Sequence, residues 1–143
     1  MTMAQPHPHN PEVRLHDVKV EECWELISAG ERVARVAWST AGGPVLVPVN
    51  YVVHERVVWM RTSPYSALAR EADDAPVAFE TDDIDPTTHL GWSVLGRGTA
   101  EVIYDHDDVP EPIRTAHPWP AGHRPLWIRI APRELTGRRL TAG

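Results

Sequence analysis

Apolar and polar residues alternate with a period of two along much of the chain, in short runs separated by turn residues. RVARVAW at 32–38 is one such run, AGGP at 41–44 is a turn, and VLVPVNYVV at 45–53 completes a hairpin. Pro48 lacks a ladder donor and predicts an edge or a bulge in that second arm. HER at 54–56 then turns the chain into VVWMRT at 57–62. Further strands are predicted in PVAFETDD at 76–83 and, beyond the loop IDPTTH, in LGWSVLGRGTAEVIYD at 90–105, where Gly96 and Gly98 mark bulge or bend positions. PLWIRIAPRELTGRRL at 125–140 is the last strand. Helical signals are fewer. HDVKVEECWELISAGERV at 16–33 offers Asp17 as a cap, Trp24, Leu26 and Ile27 as apolar positions and Gly30 as a stop. SPYSALAREADD at 63–74 opens on a Ser-Pro entry, and DDVPEPIRTAH at 107–117 predicts one more short helix. Strands joined by short turns, with few helices, predict a mainly β protein built as a small antiparallel barrel.

Length changes this picture little: 143 residues correspond to a single domain, 13–143, behind a Pro-, His- and Asn-rich tail at 1–12 that is expected to be flexible. A net charge of −6 and the absence of a Lys/Arg block exclude the basic stripe that a nucleic-acid surface needs. The lone cysteine, Cys23, excludes an internal disulfide framework. The opening MTMAQPHPHNPE has no apolar run of the signal-peptide kind, and nothing approaches the roughly 20 apolar residues of a membrane span. The expectation is a soluble, cytoplasmic protein.

Candidate chemistry concentrates where VVWMRT meets SPYSAL. Arg61, Thr62 and Ser63 at a strand end, followed by a helix start, make a receiver for a phosphate. The same residues also fit an ordinary helix entry, with Ser63 as cap and Pro64 at the first position. Eight histidines, His7, His9, His16, His54, His89, His106, His117 and His123, show no metal-ligand spacing, so no metal is predicted. ETDDIDP lacks the spacing of a calcium loop and reads as a solvated strand end. Cys23, beside Trp24 in a predicted helix and without a partner base nearby in sequence, reads as buried packing. Six tryptophans, Trp24, Trp38, Trp59, Trp92, Trp119 and Trp127, exceed what a lone small barrel needs and predict core and dimer contacts.

VPVNYVV, VVWMRTSPYSAL, PVAFETDDID and LGWSVLGRGTAEVI, in this order and spacing, resemble the pyridoxamine 5'-phosphate oxidase-like proteins, above all the short bacterial branch with the nitroimidazole-resistance-type proteins. The resemblance implies a split β-barrel homodimer with FMN in a groove between the subunits. It implies that Arg61, Thr62 and Ser66 hold the phosphate, that Val49 and Asn50 run beside the flavin ring, and that Trp92, Ser93 and Val94 form the ring segment, with Arg138 reaching across the dimer. Ala67 is a departure, because many relatives carry Lys or Arg just after the junction serine. The pyridoxamine-specific residues are not recognisable. By this resemblance the chain is expected to be an FMN-dependent oxidoreductase passing electrons to a small-molecule acceptor, or else a non-catalytic carrier of flavin, a deazaflavin coenzyme or heme.

Overall fold

The computed structural model describes residues 12–29, 32–63, 66–116 and 126–143. Seven strands, β1 (Val13–Val18), β2 (Arg32–Thr40), β3 (Gly43–His54), β4 (Val57–Thr62), β5 (Pro76–Ile84), β6 (Gly91–Ile103) and β7 (Leu126–Ala142), form one antiparallel sheet in the order β1-β7-β4-β3-β2-β5-β6. A further β6–β7 pairing closes six of them into a ring. On its other edge β7 is shared: β4 pairs along Leu126–Ile130 and β1 along Gly137–Ala142, so residues 131–136 have no partner strand on that side among the described residues. This is the opening expected of a split barrel. Pro48 fits its place, since it faces Arg35 of β2 while β4 pairs only with residues 51–54 of β3.

Alternation along the strands sends one face inward. Val36, Trp38, Tyr51, Met60, Phe79, Val94 and Ile128 all enter one buried core. Helices α1 (Val20–Ile27) and α2 (Ala67–Glu71) plug its two ends. The first inserts Cys23 and Ile27, whose carbonyl accepts from the Tyr51 hydroxyl at 3.1 Å; the second inserts Leu68 and Ala72, with the Trp38 indole N–H donating to Glu71 at 3.0 Å. Helix α3 (Glu111–Ala116), preceded by a 3-10 turn at His106–Asp108, covers part of the outer face, where Ile113 and Val109 pack on Trp59, Ile103 and Trp127.

Several expectations change. The short helix expected within 16–33 is present as α1, but Asp17 is not its cap: Asp17 lies in β1, and the residue before α1 is Lys19, which makes no side-chain cap. Strand β1 leaves little mark in the apolar pattern because Val13 and Leu15 stay exposed and only Val18 packs against the core, so pairing with β7, with a bond between His16 and Thr141 at 2.9 Å, does most to hold it. The second helix begins at Ala67, with Ser66 rather than Ser63 as its cap. Trp38 and Trp92 fill the main core, and Trp59 and Trp127 the smaller one, so these tryptophans need no second subunit to be buried. The tail at 1–11, Gly30, Pro64 and Trp119 lie outside the described residues.

Candidate functional site

At the junction of β4 and α2, two hydroxyls are locked together. Thr62 Oγ1 donates to Ser66 Oγ at 2.7 Å, and the same oxygen accepts from the Ala69 N–H at 3.1 Å, while the Ser66 N–H bonds the Ser63 carbonyl at 3.0 Å. A serine hydroxyl has two acceptor lone pairs and one proton. Both lone pairs of Ser66 are taken and, among the described residues, its proton has no acceptor, which suits a phosphate oxygen, the strongest acceptor available. With five residues, α2 adds little dipole, so side chains must do the binding.

Arg61 and Thr62 leave β4 on opposite faces. Trp59 lies in the outer cluster and Met60 in the main core, and Arg61 pairs across from Trp127 while Thr62 pairs across from Leu126. Thr62, Ser63 and Ser66 are thus brought together, and the half-buried Arg61 stands beside Trp127. Ala67 is half-buried and packs against the main core, so a basic side chain there would have to leave it.

The remaining ring-segment residues divide by the same alternation. Val49, Trp92 and Val94 are buried in the core and present only backbone to the outside. Asn50 is exposed on the outer face. Ser93 pairs directly with Arg138, and the two line a depression of about 320 Å³ together with Leu95, Thr136 and Gly137. The glycine of TGRR has its own cause: a Cβ on Gly137 would stand 2.6 Å from Cys23 Sγ, so its absence lets α1 seat against β7. Burial, and then the charge of Glu22, pushes the Cys23 thiol up, which fits packing and not nucleophilic work. Among the described residues no three His, Cys, Asp or Glu side chains gather as metal ligands.

A profile of the pyridoxamine 5'-phosphate oxidase family matches residues 19–139. The chain belongs to that family. Within it, the chain is similar to the uncharacterized protein Rv0080 of Mycobacterium tuberculosis, 33% identical over 127 residues that cover 85% of this chain and 83% of the relative. Among solved structures it is similar to the FAD binding protein from Mycobacterium smegmatis, with 29% identity, a TM-score of 0.67, and coverage of 88% of this chain and 98% of that one. A protein of Bacteroides thetaiotaomicron named for 5-nitroimidazole antibiotic resistance shares the fold, with a TM-score of 0.67 at 16% identity over 96% of both chains.

This member of the pyridoxamine 5'-phosphate oxidase family also carries a charge cluster that its sequence did not reveal. Arg35 Nη1 on β2 holds both Glu80, at 3.1 Å, and Asp82, at 3.4 Å, on the outer face of β5. Two carboxylates at i and i+2 of a strand share a face, but the cation that joins them comes from tertiary pairing. Near Ser93, Arg32 stacks over the Trp92 ring at 5.2 Å and reaches Asp83 at 3.7 Å. Desolvation first, then the hydrogen bond to Asp82 and its charge, push the Glu80 carboxyl from 4.5 to about 7, against the pull of Arg35. A carboxyl raised in the folded state adds stability below its unfolded value, and that stability is lost as pH rises through about 7. Glu80→Gln is therefore expected to gain Tm relative to wild type as pH is raised from 4.5 to 8. Parallel Tm curves for the two proteins would remove Glu80 from the pH response.

Proposed function

We propose that the chain binds a flavin nucleotide, FMN in the first place, with its phosphate at the Thr62–Ser66 junction, and acts as an oxidoreductase toward a small acceptor. The observation that carries this is the Ser66 hydroxyl, whose lone pairs are satisfied by Thr62 and Ala69 and whose proton remains for an anionic oxygen. Thr62, Ser63 and Ser66 hold the phosphate, and Arg61 adds positive charge from the opposite face of β4. Asn50 and the backbone of Val49 border the ring, as do Ser93 and Arg138 at their depression, while Trp92 and Val94 contribute main chain alone. FAD is the second choice, favoured by the name of the Mycobacterium smegmatis relative. When bound, the flavin supplies the redox chemistry, and the protein's share is orientation, electrostatics and exclusion of water. No acid or base of its own is required of the chain.

The protein is proposed to work as a homodimer, with the groove completed by a second copy. Support comes from the outer face of the β2–β3–β5–β6 sheet, where Val33 is 52% exposed, Leu46 64% and Leu95 37%. Light scattering at micromolar concentration should give twice the chain mass; a monomer would count against the shared groove. The phosphate proposal is tested by titrating ligand-free protein with FMN and with riboflavin. FMN is expected to bind at least about tenfold more tightly, as a charge-assisted phosphate contact requires. Equal affinities would move the phosphate off the junction. Turnover of a reductant such as NAD(P)H with a nitro or quinone acceptor separates an enzyme from a carrier.

A further inference from the structure

A second pocket, lined by none of Thr62, Ser63 and Ser66, lies where the end of β2 and the start of β3 meet the start of β5. It has a volume of about 390 Å³, and Trp38, Pro44, Pro76 and Ala78 wall it with apolar surface. That volume is at the small end of the range for ligand sites, about 300 to 1,000 Å³. Arg97 and Arg133 stand at the same pocket. Neither guanidinium forms a hydrogen bond or an ion pair among the described residues, although the chain as a whole carries a net charge of −6 and Glu134 sits directly across from Arg97.

The position of Arg133 has a structural cause. Along β6 and β7, Arg97 pairs with Glu134 but Gly98 pairs with Pro132, so Arg133 is the extra residue of a β-bulge. A bulge leaves its extra residue out of the ladder and re-aims the side chain, which here stands between the pocket that Arg97 lines from the neighbouring strand and a depression lined by Asp74, Glu101 and Arg129. The Trp38 indole is meanwhile fixed by its bond to Glu71 at 3.0 Å, which makes one wall rigid. We infer that this pocket binds a small organic anion with a flat or short apolar body, its carboxylate or sulfonate held between Arg97 and Arg133 and its apolar part laid against Trp38, Pro44 and Pro76. Apolar walls supply the contact area, and two guanidinium groups without partners among the described residues supply the charge.

The test uses the full chain with 1-naphthoate and its neutral isostere 1-naphthamide as probes, followed by amide and indole NMR shifts. Naphthoate is expected to shift the signals of Trp38, Ala75, Val77 and Ala78 and to bind about tenfold more tightly than naphthamide at low salt, with the difference shrinking as salt rises. In the double variant Arg97→Ala, Arg133→Ala, the difference between the probes should vanish while any bound flavin stays at the wild-type level. Both arginines are exposed, so the variant retains the fold. Shifts confined to other residues, equal binding of the two probes, or a double variant that still prefers naphthoate would overturn the site. Loss of flavin together with naphthoate binding would make the pocket part of the cofactor groove, which also overturns it.

Discussion

Replacing Gly96 by valine is expected to destabilise the protein by about 3 kcal/mol, enough to lower its Tm by roughly 10 °C. Glycine at this position is set by close approach and not by backbone conformation. A Cβ there would lie 2.2 Å from Cζ of Phe79 and 2.4 Å from its Cε1. The Phe79 ring is 1% exposed in the main core, and Glu80 and Ala78 on either side are paired with β6, so the ring has nowhere to retreat. Valine adds two methyl groups to that collision. Gly42→Ala is the control, because a Cβ there meets only Thr40 Oγ1 at 3.9 Å, and its effect should stay within about 0.5 kcal/mol. Thermal unfolding of the three proteins decides the matter. Equal midpoints for Gly96→Val and wild type would mean that β5 and β6 do not pack face to ring as described.

Exchanging Ser66 is expected to have the largest effect on ligand binding. Ser66→Ala should weaken FMN by about tenfold or more and leave riboflavin nearly unchanged, since the lost hydroxyl is proposed to touch only the phosphate. The same change removes the cap of α2, a cost of about 1 kcal/mol in stability, and could disturb the site by that route alone. Ser66→Asp separates the two effects. Aspartate caps a helix as well as serine does, so Tm should hold, but its charge would face the phosphate and FMN binding should fall further than in the alanine variant. Fluorescence titration of both variants with both flavins measures this. FMN affinity that tracks Tm, or that survives Ser66→Asp, would place the phosphate elsewhere.

Much of the fold is legible in the sequence because burial writes itself as alternation. The strands at 32–38, 57–62, 90–105 and 125–140 can be read from their apolar positions, and the structure has β2, β4, β6 and β7 there. Strand β1 carries no such signal, since all its side chains but Val18 are exposed and it is held chiefly by pairing with β7. The start of α2 is misread because Ser63-Pro64 is as good an entry as Ser66 by local chemistry; the bond from Thr62, which depends on where β4 ends, is what distinguishes Ser66. Period-two alternation also contains the separation of Arg61 from Thr62, but a motif quoted as a string hides the two faces. Gly96 and Gly98 look alike as bend positions. Only the bulge between Arg97 and Gly98 and the ring beside Gly96 tell them apart, and both are long-range.

The central claim, a flavin nucleotide held at the Thr62–Ser66 junction, is tested most directly by the visible absorption spectrum of the purified protein, with identification of what it releases on denaturation. The expected result is a flavin spectrum and release of FMN, or of FAD as the second choice, in proportion to the protein. A Soret band with release of heme, or a colourless protein that stays colourless after incubation with FMN and FAD, would contradict it.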